Sequence, residues 1–246
     1  MNGKYTKKNK NKIKNGPILT VIAVCIIALV GILIVVFGMG SEKDKDNNDA
    51  ENSNGKVESQ DIFDLGNDVK ITDFLPYTGT FMEDRTDEEV DDILAIQVTN
   101  SGEKYIQTMD ITLTAGEIQA QFSISTLFPG ETAVVIEKNR MTYSNMPTFD
   151  QAQASAVAMF EGNPGMCQDK LEIQCLDGII NVTNISGEDI TGDILIYYKN
   201  YVSGIYYGGI TYRVRIEGGL KAGEIRQGTA THFKPDSSKI VFVTCG

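Results

Sequence analysis

The chain has 246 residues, a formal net charge of −11, 24 glycines, four cysteines, one histidine and no tryptophan. From Pro17 onward 16 basic residues face 33 acidic ones, a balance that repels phosphate backbones and argues against nucleic-acid binding. With a single histidine, His232, multi-histidine zinc sites and histidine-based triads are excluded or crippled.

Residues 1–17 carry Lys4, Lys7, Lys8, Lys10, Lys12 and Lys14 and read as a basic cytoplasmic tail. Ile18 to Met39 is an uncharged apolar run of 22 residues. As a helix it spans about 33 Å, enough to cross a hydrocarbon core of roughly 30 Å. The span is longer than the apolar core of a cleaved signal peptide, so an uncleaved signal-anchor is expected over residues 18–39, with Gly38-Met39-Gly40 the alternative cut site. Cys25 lies mid-span and reads as a packing residue. The lysine bias places the N-terminus in the cytoplasm and the remainder outside.

Residues 40–60 are rich in Asp, Asn, Ser and Glu and predict a flexible tether with a root-mean-square reach of about 25 Å. Asp44, Asp46 and Asn48 imitate a calcium loop, but Asp49 stands where glycine is needed and Gly55 where a bidentate Glu is needed. Leu75-Pro-Tyr-Thr-Gly79 matches a sorting pentapeptide at the wrong end of the chain; Pro76 and Gly79 suit a turn.

Beyond the tether the pattern is β. Ile93–Thr99, Tyr105–Leu113, Ile118–Ile124 and Thr132–Glu137 alternate or cluster apolar residues as strands do, as do Ile179–Thr183, Asp193–Tyr198, Ile210–Ile216 and Lys239–Thr244. Gln151–Met159 is alanine-rich and reads either as a short helix or as the first strand of a second unit. The order Val98-Thr-Asn100, Ser101-Gly-Glu103, then Pro129-Gly-Glu131 recurs as Val182-Thr-Asn184, Ser186-Gly-Glu188, then Ala222-Gly-Glu224. The separation of the landmarks grows from 31 to 40 residues, and Tyr198 to Gly209 is the natural place for the added length. The reading is mainly β: one N-terminal transmembrane helix, then two tandem antiparallel β-sandwich domains at 61–148 and 149–246.

The runs DGIINVTNISGEDITGDILIYYKN and YYGGITYRVRIEGGLKAGEIRQGTATHF resemble uncharacterised single-pass surface proteins of low-GC Gram-positive gut bacteria. The strand-turn pattern is similar to that of immunoglobulin-like modules on bacterial surfaces. The resemblance implies fold and a cell-membrane location with the C-terminal domains extracellular; it carries no catalytic, metal or cofactor residue.

Outside the span lie Cys167, Cys175 and Cys245, so one disulfide at most and one thiol are expected. Cys175 with Cys245 is the first choice, both lying on strand-like runs, with free buried thiols the alternative. Six tyrosines fall between Tyr197 and Tyr212. A tyrosine joins an apolar ring to a polar tip, which suits sugars, peptides or proteins; strand packing is the competing reading. Tyr198, Tyr201, Tyr206, Tyr207 and Tyr212 are the candidate binding residues, expected on an exposed hairpin tip flanked by Lys199 and Arg213. The function expected is a non-catalytic binding or assembly module for a cell-surface protein or glycan, without cofactor. The alternatives are an accessory subunit contacting partners through the helix, where Gly31 and Gly38 share a face, and a carboxylate-dependent cell-wall hydrolase. The last needs two carboxylates across a cleft, and pairs such as Glu88 with Asp91 arise readily among 33 acids.

Overall fold

The structure, a computed structural model, describes residues 62–84 and 86–246. The expected tail, span and tether lie outside the described residues; among those described, no helix is long and apolar enough to cross a membrane. The strands are β1 (Phe63–Asp64), β2 (Val69–Thr80), β3 (Glu89–Asn100), β4 (Ile106–Ala115), β5 (Ile118–Leu127), β6 (Thr132–Ile136), β7 (Gln151–Met159), β8 (Leu171–Leu176), β9 (Ile179–Asn184), β10 (Ile194–Val202), β11 (Ile205–Ile216), β12 (Ile225–Thr229) and β13 (Ser238–Cys245). They form a seven-stranded sheet in the order β1-β2-β3-β6-β11-β10-β13 and two three-stranded sheets, β12-β9-β8 and β5-β4-β7. The fold is mainly β.

The sequence echo is reproduced atom by atom. Asn100, fully buried at the end of β3, donates from Nδ2 to the carbonyls of Lys104 (2.8 Å) and Leu127 (3.0 Å), and its Oδ1 accepts from Gly102 N (3.1 Å). Asn184, at the end of β9, donates to Glu188 O (2.7 Å) and Leu220 O (3.0 Å) and accepts from Ser186 N (3.0 Å). The backbone N–H groups of both asparagines donate to the carbonyls of the second landmarks, Glu131 and Glu224, at 3.0 Å. Those glutamates close the same turn, accepting from Phe128 N and Lys221 N at 2.8 Å. An amide side chain with both donors and its acceptor engaged cannot be replaced by an apolar one without orphaning buried carbonyls. Asn100→Ala and Asn184→Ala should therefore each lower unfolding stability by about 2 kcal/mol, and an exposed control such as Asn163→Ala by far less. Equal stability of all three in urea titrations would remove the asparagines from the fold's supports.

The two repeats are β2–β7 and β8–β13. The first, second and fifth strands of each pair together (β2-β3-β6 and β8-β9-β12), and so do the third, fourth and sixth (β5-β4-β7 and β11-β10-β13). Gln151–Met159 is a strand, and it pairs with β4, inside the first repeat rather than opening the second. It is the edge strand of its sheet, with register shifts against β4 and a positive φ at Ala156. The first core joins Ile71, Ile96 and Val98 to Met109, Ile111 and Phe122; the second joins Ile180 and Val182 to Ile194, Ile196, Val214 and Val243. Each such side chain contributes about 1.5–3 kcal/mol on burial.

The repeats are joined where the hairpin differs. Ile106 pairs with Leu127 and Ile190 with Leu220 at equivalent positions, but the second hairpin is longer on both arms. Its added length crosses to the first repeat: Tyr206 and Tyr207 pair in parallel with Ala133 and Val134 of β6. Lys199, fully buried rather than flanking an exposed tip, donates to Ser125 O at 2.7 Å. Tyr206 Oη donates to Glu131 Oε1 at 2.8 Å. Gly208 and Gly209 lie within β11 rather than in a flanking turn, and a Cβ on Gly209 would overlap the Ser123 carbonyl oxygen. In the second repeat Arg226 stands where the first has Ala133, two residues past the turn glutamate. Its guanidinium donates to Glu217 O at 2.7 Å and to the Glu224 carboxylate.

Two sequence expectations change here. Cys245 is disulfide-bonded to Cys167, with Cα atoms 6.6 Å apart, and Cys175 is free. Cys175 belongs to β8 in the small sheet, whereas the segment holding Cys167 runs beside β13, with Val243 N donating to Gly165 O at 3.1 Å. Leu75-Pro-Tyr-Thr-Gly79 is not a turn but part of β2, with Pro76 opposite Leu94 and a register shift between Tyr77 and Gly79. β1 covers only Phe63–Asp64, so this stretch of β2 is an edge, where the missing proline N–H costs no ladder bond.

Candidate functional site

Between the repeats lies a cleft of about 540 Å³. Tyr207 and Tyr212 of β11 contribute to its lining, together with Tyr77, Thr78 and Thr80 from the end of β2, Met82 and Asp87 from the following loop, and Thr231, His232, Lys234 and Ser237 from the loop before β13. A second depression of about 450 Å³ shares Tyr212, Thr231 and His232 with it.

The cleft follows from an irregularity in the hairpin. Tyr198 pairs with Tyr212 and Asn200 with Tyr207, so Gly208 to Thr211 stand opposite Lys199 alone. Such a bulge bends its strand and re-aims the flanking side chains. Tyr212 is stacked on Tyr198 (centroids 5.2 Å, 20° between planes) and on His232 (4.7 Å, 20°). The three rings form a fixed column, footed by the edge-on contact of Tyr198 with Phe233 at 5.3 Å. His232 Nδ1 is 3.8 Å from the Asp87 carboxylate, and both side chains are partly exposed.

Burial pushes the hydroxyl of Tyr212 up to about 12, helped by the Asp87 charge. Burial also raises Tyr77 to about 12, followed by the charges of Glu89 and Glu83; its hydroxyl donates to Thr80 O at 2.7 Å. Both phenols are therefore neutral across the physiological range. The cleft offers ring faces, neutral hydroxyls, the Asn200 amide, one carboxylate and one ammonium.

Of the tyrosines expected at the site, Tyr207 and Tyr212 line the cleft, and Tyr198 backs Tyr212 while lining the second depression. Tyr201 and Tyr206 belong to the joint, with rings 4.9 Å apart beneath Lys239 Nζ at 4.8 and 5.5 Å. None of the six is exposed, which corrects the expected exposed tip: Tyr198 and Tyr206 are 2% and 1% accessible and the others are half-buried. Alternation does send adjacent tyrosines to opposite faces. Both faces here are covered: Tyr197 and Tyr206 pack with the first core, Tyr198 with the second, and Tyr207 with a smaller cluster of Phe81, Met82, Ile93 and Ile136. The tip itself is Val202, Ser203, Gly204 and Ile205.

Sequence reasoning passed over Tyr77, inside the pentapeptide, and His232, weighed only as a catalytic or metal residue. The signal for His232 was its place in a strand-flanking loop beside a tyrosine-rich strand. Among the described residues, no group of three or more His, Cys, Asp or Glu is arranged to hold a metal ion. No protein family model, curated protein sequence or solved structure matches the chain.

Proposed function

We propose that the chain is a membrane-anchored, non-catalytic binding module at the cell surface, which holds a cell-surface protein or glycan in the cleft between two immunoglobulin-like β-sandwich repeats. The observation that carries this reading is the fixed Tyr198–Tyr212–His232 column opening onto a cleft rimmed by Thr and Ser hydroxyls. Ring faces with a few placed polar groups are how concave sites hold ligands, and clefts between structural units are where such sites concentrate. Two three-stranded sheets over one core in each repeat support the sandwich reading. The Cys167–Cys245 disulfide suits an oxidising exterior, and the lysine-flanked apolar run supports the anchor. A hydrolase would need a second carboxylate beside Asp87 in the lining of this cleft.

The test is retention of the full chain on purified cell-wall polysaccharide and on surface-protein extract. His232→Ala strips the outer ring from the column and should weaken retention on one of them about tenfold, with little change in stability. Retention unaffected by His232→Ala and Asp87→Ala together would remove the cleft as the site. Protease added to intact cells should digest the C-terminal repeats; their protection would overturn the orientation.

A further inference from the structure

A separate groove of about 590 Å³ lies where β10 and β13 of the second repeat meet β4, β5 and β7 of the first. One wall is aromatic. Tyr197 stacks on Phe242 with centroids 4.1 Å apart and 12° between planes, and Phe160 meets Phe242 edge-on at 5.2 Å. Phe242 packs against both other rings, so the wall is preorganised and a ligand would not have to order it. The other wall is polar: Gln107 and Thr108 of β4, Ser125 of β5, Thr211 of β11 and Thr244 of β13. An adjoining depression of about 320 Å³ shares Thr108, Ser125 and Thr211, which lengthens the groove.

Two properties narrow the ligand. No charged side chain lines either depression, in a chain where 22% of residues are charged. Such a surface offers an ionised ligand no counter-charge while removing its water. The polar groups, moreover, are open. Ser125 Oγ is 3.0 Å from Gly209 O and 2.9 Å from Thr211 Oγ1, to either of which it can donate, and Thr211 Oγ1 donates to Ser125 O (3.0 Å), so each hydroxyl keeps a lone pair to accept but no free proton. Nothing among the described residues hydrogen-bonds the side chains of Gln107, Thr108 or Thr244, which can donate and accept. A peptide adding as a strand would instead need free backbone groups. Ser125 O already accepts from Lys199 Nζ at 2.7 Å, and Gln121 O, further along β5, from Lys138 N at 2.9 Å.

We propose that this groove binds a neutral saccharide chain, its C–H faces against Tyr197 and Phe160 and its hydroxyls on the Gln107, Thr108 and Thr244 side. The site is distinct from the cleft that holds Asp87, His232 and Lys234, and stands whether or not that cleft binds.

The full chain in lipid nanodiscs is titrated calorimetrically with cellohexaose, maltohexaose and chitohexaose, and with a neutral Gly-Ser decapeptide. At least one hexasaccharide should bind with a Kd of about 1 mM or tighter. Gln107→Ala with Thr244→Ala, both at exposed positions, should weaken it about tenfold, the loss expected for two hydrogen bonds. Ile225→Ala, at an exposed position on β12, should leave it unchanged. Absence of binding by all three sugars would overturn the proposal. So would binding that the double variant leaves intact, or a preference for the decapeptide. Sugar binding lost in His232→Ala and kept in the double variant would assign the saccharide to the inter-repeat cleft and reject this groove.

Discussion

Tyr206→Ala should lower the unfolding free energy by about 3–5 kcal/mol, the range for deleting a buried aromatic side chain. Tyr206 lies on β11 of the second repeat, yet its ring is part of the first repeat's core and is 1% accessible. Its hydroxyl donates to Glu131 Oε1 at 2.8 Å, and Glu131 closes the turn that leads into β6. Truncation therefore opens a cavity, unpairs a carboxylate and loosens the parallel β6–β11 seam together. Tyr206→Phe keeps the ring and should cost about 1.5–3 kcal/mol, because the bond lost is to a charged group. Urea titrations followed by circular dichroism would separate the two. Because Tyr206 carries the second repeat's hairpin into the first core, Tyr206→Ala should also split a single unfolding transition into two. A single transition displaced by less than about 1 kcal/mol would mean that the seam contributes little.

This outcome marks the limit of what tyrosine spacing alone conveys. The strands were legible because half-buried strands alternate: every alternating run singled out in the sequence overlaps a strand. The repeat was legible because a buried asparagine that satisfies three partners demands the same neighbours twice. The joint was not. Tyr206 and Tyr201 carry the same composition whether they coat a ligand site or a seam, and only the partner strand decides. β6 held a clue, since Thr132-Ala-Val-Val-Ile136 is an almost unbroken apolar run with no exposed residue, whereas its counterpart Ile225-Arg-Gln-Gly-Thr229 alternates and is largely exposed. A continuous apolar strand is one covered on both faces. The cleft was half legible. Tyr207 and Tyr212 stand out in the tyrosine-rich run, but Asp87 and His232 lie 145 residues apart and meet only through the tertiary fold. The disulfide was misread for the same reason, because Cys175 and Cys245 look alike as strand residues while their sheets differ.

Between pH 8 and pH 10 Lys199 should add stability to the folded protein that a variant without its ammonium does not gain. Its ammonium is fully buried, and burial pulls it down to about 8 against the opposing influence of Glu83 and Glu131. An unfolded lysine titrates near 10.4. Above pH 8 the folded chain releases this proton while the unfolded chain still holds it, so the unfolded state binds more protons and unfolding becomes harder as pH rises. The gain is about 2–3 kcal/mol by pH 10 and is absent below pH 8, where both states are protonated. Groups that burial raises act in the opposite sense, because the unfolded chain ionises them first: Cys175 within this window, and Tyr77, Tyr198, Tyr206 and Tyr212 most strongly above pH 10. The window is therefore pH 8 to 10. Lys199→Met is the matching variant. Ser125 O keeps its bond from Thr211 Oγ1 and Gly209 O its bond from Ser125 Oγ, so neither carbonyl is orphaned. Glu83 keeps its bonds from Gly209 N (2.7 Å) and Ile136 N (3.3 Å) but loses a cationic neighbour, which pushes a carboxyl already raised by burial further up. At neutral pH the variant should fold, because replacing a buried ammonium with an apolar chain of similar length removes a desolvation cost of several kcal/mol along with the attraction it opposed. Relative to this variant the wild-type chain should gain stability from pH 8 to pH 10, which urea midpoints at half-unit intervals would resolve. Parallel profiles for the two proteins would mean that Lys199 keeps an ordinary proton affinity and that water reaches the joint.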